Sequence, residues 1–572
     1  VHSYANHKQA IPARNAKMPI ARENVAPHIT SDMTETTMPG SRSSITRRAA
    51  IAGMLATPMI ARSASAQAPL TVTWGEDDAT PRTYDPRVTS SRHEYQVVGQ
   101  IFDSLISSDG SNKLFPGLAT AWEAAPDGKS VTLKLRTDVG FHDGTPFDAE
   151  AVKFTFDTIA DPATASEGAV TQLGPYAGCK VLDPHTVRVD YTMPFGAAIA
   201  SYAEGTLSPV SPTAVKRLGN QDFARAPVGA GPFRFVSWEQ GRQVIMERFD
   251  KYNWAPPFNT NKGPSSVQRI INRFIPDAST RVAALEAGEI DISDATPILD
   301  MKRLKDTHGY NTMIGNAAGI PFGLELNGSR GIFADINVRR ALAMAIDRPA
   351  LCDNLFFGIV DPAYGPLSAD TPGYWKGVEA MYKPDLKAAV ALLEQSGWQP
   401  GPDGIRVKAG QRLSGFYGAP PPLEPDTAVE VQALAKQIGM DLKVETITFA
   451  RNQSLVFDNT FDMLPVRWIQ ADPMCLENLF ASVNIPTPGH YKYNWMQLKD
   501  AKLDALFEQG RAVTDPAKRD AVYADAQKII MDSGLWLPIH NQVQTLATRA
   551  EKKGYHFART SWVALFYDVT KA

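Results

Sequence analysis

Between Gly117 and Phe156 the chain carries turn and strand signals so closely spaced that little freedom remains in what can form there. Val131, Leu133 and Leu135 alternate with Thr132, Lys134 and Arg136, which is the period of a half-buried strand. Asp127-Gly128 just before it is turn chemistry, so a hairpin arm ends at Arg136. After a second turn at Asp143-Gly144 comes Asp148, whose carboxylate can accept from the unpaired amides two and three residues on, and a helix is predicted from there. Its apolar residues Val152, Phe154 and Phe156 do not make a clean stripe. His142-Asp143 admits two readings, a side chain tying down a Gly-Thr-Pro turn or a catalytic pair, and turn chemistry favours the first.

Periodicity extends the picture along the chain. Leu70 to Trp74 reads as an opening strand, and Val98, Ile101, Phe102 and Leu105 fall at helical spacing over Tyr95 to Leu105. Further strands are predicted at Val181 to Tyr191, and a hairpin pairs Phe233 to Trp238 with Gln243 to Phe249. Strand Ile270 to Ile275, a helix over Thr280 to Ala287 ended by Gly288, and Ile290 to Ile292 form the pattern of an α/β crossover. Asp335 can cap a helix whose apolar face is Val338, Ala341, Leu342, Ala345 and Ile346, with Arg339 and Arg340 turned outward. Leu386, Ala389, Val390 and Leu393 make another stripe, Met440 to Phe449 is mostly strand, and a helix over about Arg519 to Met531 precedes Trp536 to His540. The fold class is α/β.

Several of these stretches are similar to the large extracytoplasmic solute-binding proteins of ABC importers, family 5, which include oligopeptide-, dipeptide- and nickel-binding receptors. The resemblance rests on Leu118 to Val152, on Asp85-Pro86 with Phe102-Asp-Ser-Leu105, and on Pro227-Val-Gly-Ala-Gly-Pro-Phe233. It also rests on Leu285-Glu-Ala-Gly-Glu-Ile-Asp291 and Phe333-Ala-Asp-Ile-Asn-Val-Arg-Arg-Ala-Leu-Ala-Met-Ala-Ile-Asp-Arg348. It implies a two-lobed periplasmic-binding-protein fold of the large type. One lobe joins residues 67–110, 225–326 and 541–572, a domain is inserted at 111–224, and the other lobe spans 327–540. It implies too that Ser90 and Arg92 lie on a loop touching ligand. In peptide-binding relatives a Trp at the place of Trp468 is followed three residues later by an Asp that neutralises the ligand α-amine. Here that place holds Ala471 and the acid is Asp472, which either meets a cationic ligand group or starts the turn before Pro473. Arg467 and His540 complete the expected ligand-binding set. No metal or cofactor is expected.

Residues 1–66 are set apart from this fold. Val1 to Pro39 has no apolar periodicity; Thr46-Arg47-Arg48, the apolar run Ala49 to Ile60 and Ala64-Ser65-Ala66 then read as an export signal, by the twin-arginine or the Sec route, removed after Ala66. No later segment is apolar for long enough to span a bilayer, and the net charge of -3 implies neither nucleic acid nor an anionic membrane surface as partner. Cys179, Cys352 and Cys475 are odd in number and widely spaced, which argues against a disulfide framework. The expected product is a monomeric periplasmic receptor that takes a peptide or other small-molecule ligand to permease subunits of an importer. The competing class, an exported hydrolase, lacks a Gly-x-Ser-x-Gly elbow and metal-binding motifs. A receptor that also serves chemotaxis shares the fold.

Overall fold

The computed structural model describes residues 69–78, 80–420, 425–487, 490–558 and 563–572. The extension and export signal expected over residues 1–66 lie outside them. Two mixed sheets organise the described chain. In the first, Leu70–Glu76 is central: its alternation of apolar residues with threonines buries Val72 and Trp74, and it pairs in parallel with Val267–Phe274 on one side and Ile292–Ser293 on the other. The helix Ala278–Glu286, capped by Asp277, joins those two neighbours, so the crossover predicted from the sequence passes over the central strand. Antiparallel strands Gln243–Arg248 and Phe233–Glu239 extend one edge, and Val543–Arg549 and Tyr310–Asn316 the other, giving seven strands.

The second sheet has five strands in the order Asp441–Thr446, Ser414–Ala419, Met463–Ile469, Gly319–Leu326, Trp536–His540. Gly319–Leu326, expected with the first lobe, belongs here: it is buried at every position and runs antiparallel to both Met463–Ile469 and Trp536–His540. The helix Ile336–Ala345 begins on the predicted cap, with the Asp335 side chain accepting from Asn337 N. Arg339 does not turn outward as predicted. It is buried, and its guanidinium donates to the carbonyls of Ser533 and Phe333, which binds this helix to the end of the helix Pro516–Ser533.

Residues within the expected insertion build a third layer, a four-stranded antiparallel sheet in the order Ala119–Ala124, Ser130–Leu135, Thr186–Tyr191, Tyr176–Asp183. The helix Ala149–Ala160 packs on it and starts where the sequence predicts, with Asp148 accepting from Ala151 N at 3.0 Å. His142 ties the turn before this helix to the glycine-rich crossing at Pro227 to Phe233. Its Nε2 lies 2.9 Å from Gly231 O, its backbone N donates to Gly229 O, and its ring meets Phe249 edge-on at 4.9 Å. Burial pulls its imidazole down to about 4, so it stays neutral.

The chain passes between the two large sheets twice, at Ala317-Ala318 and at Asn541-Gln542, and the passages are tied by Ala317 N donating to Gln542 O at 2.9 Å. The C-terminal segment returns to the first core, where Phe566 is buried and Gln96 and Gln100 both donate to Ala564 O at 2.8 Å. Away from the passages, the insertion touches the second large unit. Gly196 N donates to Arg511 O at 2.5 Å, and Met474 packs against the core of the insertion.

Candidate functional site

Beside the two passages lies a cavity of about 690 Å³ to which both sheets and the insertion contribute. One wall comes from the loop and helix after the opening strand. Ser91 caps the helix Arg92–Ile101 in a reciprocal box with Glu94, which fixes the direction in which Ser90, Arg92 and Tyr95 project. The helix begins three residues earlier than its apolar periodicity predicts, because of that box, and ends earlier because Phe102 is already extended at φ -119° and ψ 149°. The facing wall is the end of the strand Met463–Ile469 with Gln470, and it presents Arg467 and Trp468. Of the six ligand-binding residues expected from the sequence, Ser90, Arg92, Arg467 and Trp468 thus line one cavity.

Arg92 is held by two acids, Nη1 on Asp294 Oδ2 at 2.7 Å and Nη2 on Asp77 Oδ1 at 2.5 Å. Burial draws its pKa down, but Asp294 and Asp77 outweigh this and leave it above the ordinary arginine value. Behind it, burial pushes Glu76 up to about 7 against the hydrogen bond from His93; burial also bears most heavily on His93, drawing it down, but that same bond together with the charges of Glu76 and Asp77 leaves it raised. Glu76, Asp77, His93 and Asp294 have ligand-type atoms within 4.8 Å of one another, yet Arg92 already supplies a cation among them. Ser90 Oγ accepts from Arg82 Nη2 at 2.9 Å.

Trp468 is half-buried, donates from Nε1 to Gln470 Oε1 at 3.3 Å and meets Tyr493 edge-on at 5.1 Å. Tyr493 belongs to a packed series with Tyr491 and Trp495, so the aromatic wall is braced from behind. The alternation Tyr491-x-Tyr493-x-Trp495 was a usable signal in the sequence. The insertion adds Glu167, Thr171 and Gln172 from one side and Glu204 to Thr206 from another. Two buried polar atoms on the lining, Thr206 Oγ1 and Gln542 Oε1, have no hydrogen-bond partner. Gln542 donates from Nε2 to Ile320 O at 2.9 Å, so its amide is fixed with the oxygen left over.

Asp472 and His540 do not line this cavity. Asp472 caps the turn Pro473–Cys475 by accepting from Met474 N, and Arg519 Nη1 and Nη2 each donate to it at 2.8 Å. The turn reading is therefore the one the fold adopts, with a buried ion pair added. His540 is buried at the end of its strand, stacked on Phe322 at 4.8 Å, with Nδ1 2.8 Å from Asn541 O.

Such a receptacle between sheets joined by two crossings defines a binding protein, and sequence comparison places it. Residues 113–484 match the family described as bacterial extracellular solute-binding proteins, family 5 Middle, and the chain belongs to that family, whose members are receptors and not enzymes. A probable D,D-dipeptide-binding periplasmic protein of Escherichia coli K12 is 25% identical over 491 residues, covering 84% of this chain and 90% of that one. The glutathione-binding protein of the same strain is 27% identical over 501 residues, covering 85% and 91%. The structure of NikA from Brucella suis in complex with Fe(III)-EDTA matches with a TM-score of 0.77 at 25% identity, over 88% of this chain and 100% of that one. That of DppA from Helicobacter pylori with the peptide STSA gives 0.69 at 24% identity, over 88% and 98%, which bears on the fold. Among the described residues no helix is long and apolar enough to cross a membrane.

Proposed function

We propose that the chain captures a peptide-like or other small polar solute in the cavity beside the two crossings and delivers it to the permease subunits of an ABC importer. The observation that carries this is the lining: an aromatic wall from one sheet faces a capped, charge-bearing loop from the other, with unpaired polar atoms between them. A cavity of about 690 Å³ suits a small solute. The D,D-dipeptide, glutathione and tetrapeptide named for relatives are of this kind. With Ala471 at the place of the amine-binding acid and Asp472 committed to Arg519, a ligand α-amine would have to meet Glu167 or Glu204. Thr206 and Gln542 call for a ligand that offers hydrogen bonds, Gln542 for a donor. The relatives' periplasmic names and the signal-like segment ahead of Ala66 support export to the periplasm, by the twin-arginine or the Sec route.

Native mass spectrometry of protein purified without denaturation should show a bound solute, released unaltered in mass. With that solute in hand, Trp468→Ala should weaken the dissociation constant about thirtyfold, or about 2 kcal/mol, because a large face loses its contact. Calorimetry giving an affinity within about twofold of wild type would remove Trp468, and with it this cavity, from the binding role.

A further inference from the structure

Five arginines are buried among the described residues, and four of them have every nitrogen that is shut off from solvent partnered. Arg87 pairs with Asp85. Arg281 spends Nε, Nη1 and Nη2 on the carbonyls of Asp294, Ile275 and Ala295. Arg339 holds Ser533 and Phe333, and Arg406 holds the carbonyls of Ile438 and Trp398 together with Glu394. Arg348 is the exception. It is 2% exposed, donates from Nε to Pro538 O at 2.7 Å and weakly from Nη1 to Tyr382 O at 3.4 Å, and its buried Nη2 has no partner. The nearby acids are engaged elsewhere, Asp347 in capping Ala350 N at 3.1 Å and the exposed Glu379 in accepting from Tyr374 Oη at 3.2 Å.

Arg348 also borders a cavity of about 310 Å³, lined in addition by Tyr364, Tyr382, the exposed Lys383 and the exposed Glu379, whose carboxylate accepts from Tyr374. None of these residues lines the solute cavity. We propose that this second cavity is a binding site for a small oxyanion, a phosphate or a carboxylate, anchored on Arg348 with Lys383 at its mouth. A buried guanidinium without an anion is costly, and an oxyanion offers acceptors in the plane of its donors. Burial pulls Arg348 down to about 10, partly offset by Tyr364, Cys352, Tyr382 and Asp347, which is the state an arriving anion would relieve.

Inorganic phosphate is the first probe and acetate the second, each set against chloride at equal ionic strength and followed by thermal unfolding, with phosphorus-31 line widths for phosphate. A saturable rise in the unfolding midpoint beyond that in chloride is expected, since a ligand of the folded state stabilises it. Lys383→Ala, an exposed change, should raise the half-saturating concentration about fivefold or more, and Arg348→Met should abolish the response. Should Arg348→Met fail to fold, Lys383→Ala and Tyr364→Phe decide the matter between them. A stronger response to phosphate marks a tetrahedral ligand and a stronger response to acetate a carboxylate. No saturable response to either probe, or the same response in wild type and Lys383→Ala, overturns the site.

Discussion

Asp103 ends the helix-bearing wall of the first unit with its carboxyl turned to Trp254, whose Nε1 donates to Oδ2 at 3.0 Å, while Tyr252 adds a second hydrogen bond. Burial outweighs both and pushes the carboxyl up to about 7. An unfolded aspartate titrates near ~3.9, so between about pH 4 and pH 7 the folded chain holds a proton that the unfolded chain has released. Stability from this group therefore falls as pH rises through that window. Asp103→Asn keeps an acceptor for Trp254, and its stability relative to wild type should climb from about pH 5 to about pH 8 in denaturant titrations; a constant difference would count against the raised carboxyl. Asp472 gives a second test. Asn in its place leaves Arg519 without its anion, which should cost on the order of 3 kcal/mol in unfolding free energy while solute affinity stays within about twofold. A loss of affinity with unchanged stability would return Asp472 to the binding site. Nothing in the local sequence separates an acid that meets a ligand from one that meets Arg519, 47 residues along the chain.

At the scale of elements, the caps were the most readable feature: Asp148 and Asp335 each start a helix by accepting from an amide two or three residues on. Ser91 does the same for the helix that presents Arg92 and Tyr95, and Ser91→Ala should lower stability by about 1 kcal/mol, read as a shifted denaturant midpoint. Rescue by Ser91→Asp, with no recovery in Ser91→Val, would show that the cap and not the side-chain volume is responsible. Ser90, Arg92, Arg467 and Trp468, which line the candidate cavity, were reached in the sequence through the family resemblance and not through periodicity. The contributions of Glu167 to Gln172 and Glu204 to Thr206 could not be read, since short polar segments of the insertion reach the cavity through tertiary packing alone. Gly319–Leu326 shows a related limit: a run buried on both faces reveals a strand but does not say which sheet it joins. Arg339 shows the same for a helix face, because the carbonyl of Ser533 that draws it inward lies nearly two hundred residues away.

For the molecule as a whole, two tied crossings make a narrow strap between the large sheets, the arrangement about which hinge closure takes place in two-lobed receptors. Far from the strap, Gly196 is pressed against the last turn of the helix Ala501–Ala512, where an added side chain would run into Val513 O and stand 3.1 Å from Arg511 O. Gly196→Val touches nothing in the solute cavity, yet should enlarge the radius of gyration of the solute-saturated protein in small-angle scattering and weaken binding about tenfold. A scattering curve and an affinity equal to wild type would mean that this contact plays no part in closure. The Gly196 to Arg511 hydrogen bond satisfies a carbonyl at a helix end that has no partner within its own helix. If the contact forms on closure, breaking that bond adds to the barrier to opening an increment that does not depend on which solute lies inside. On the proposed capture mechanism such a contact would lengthen a molecule's stay without slowing its entry, so residence time would respond to changes on the insertion that never meet the cargo.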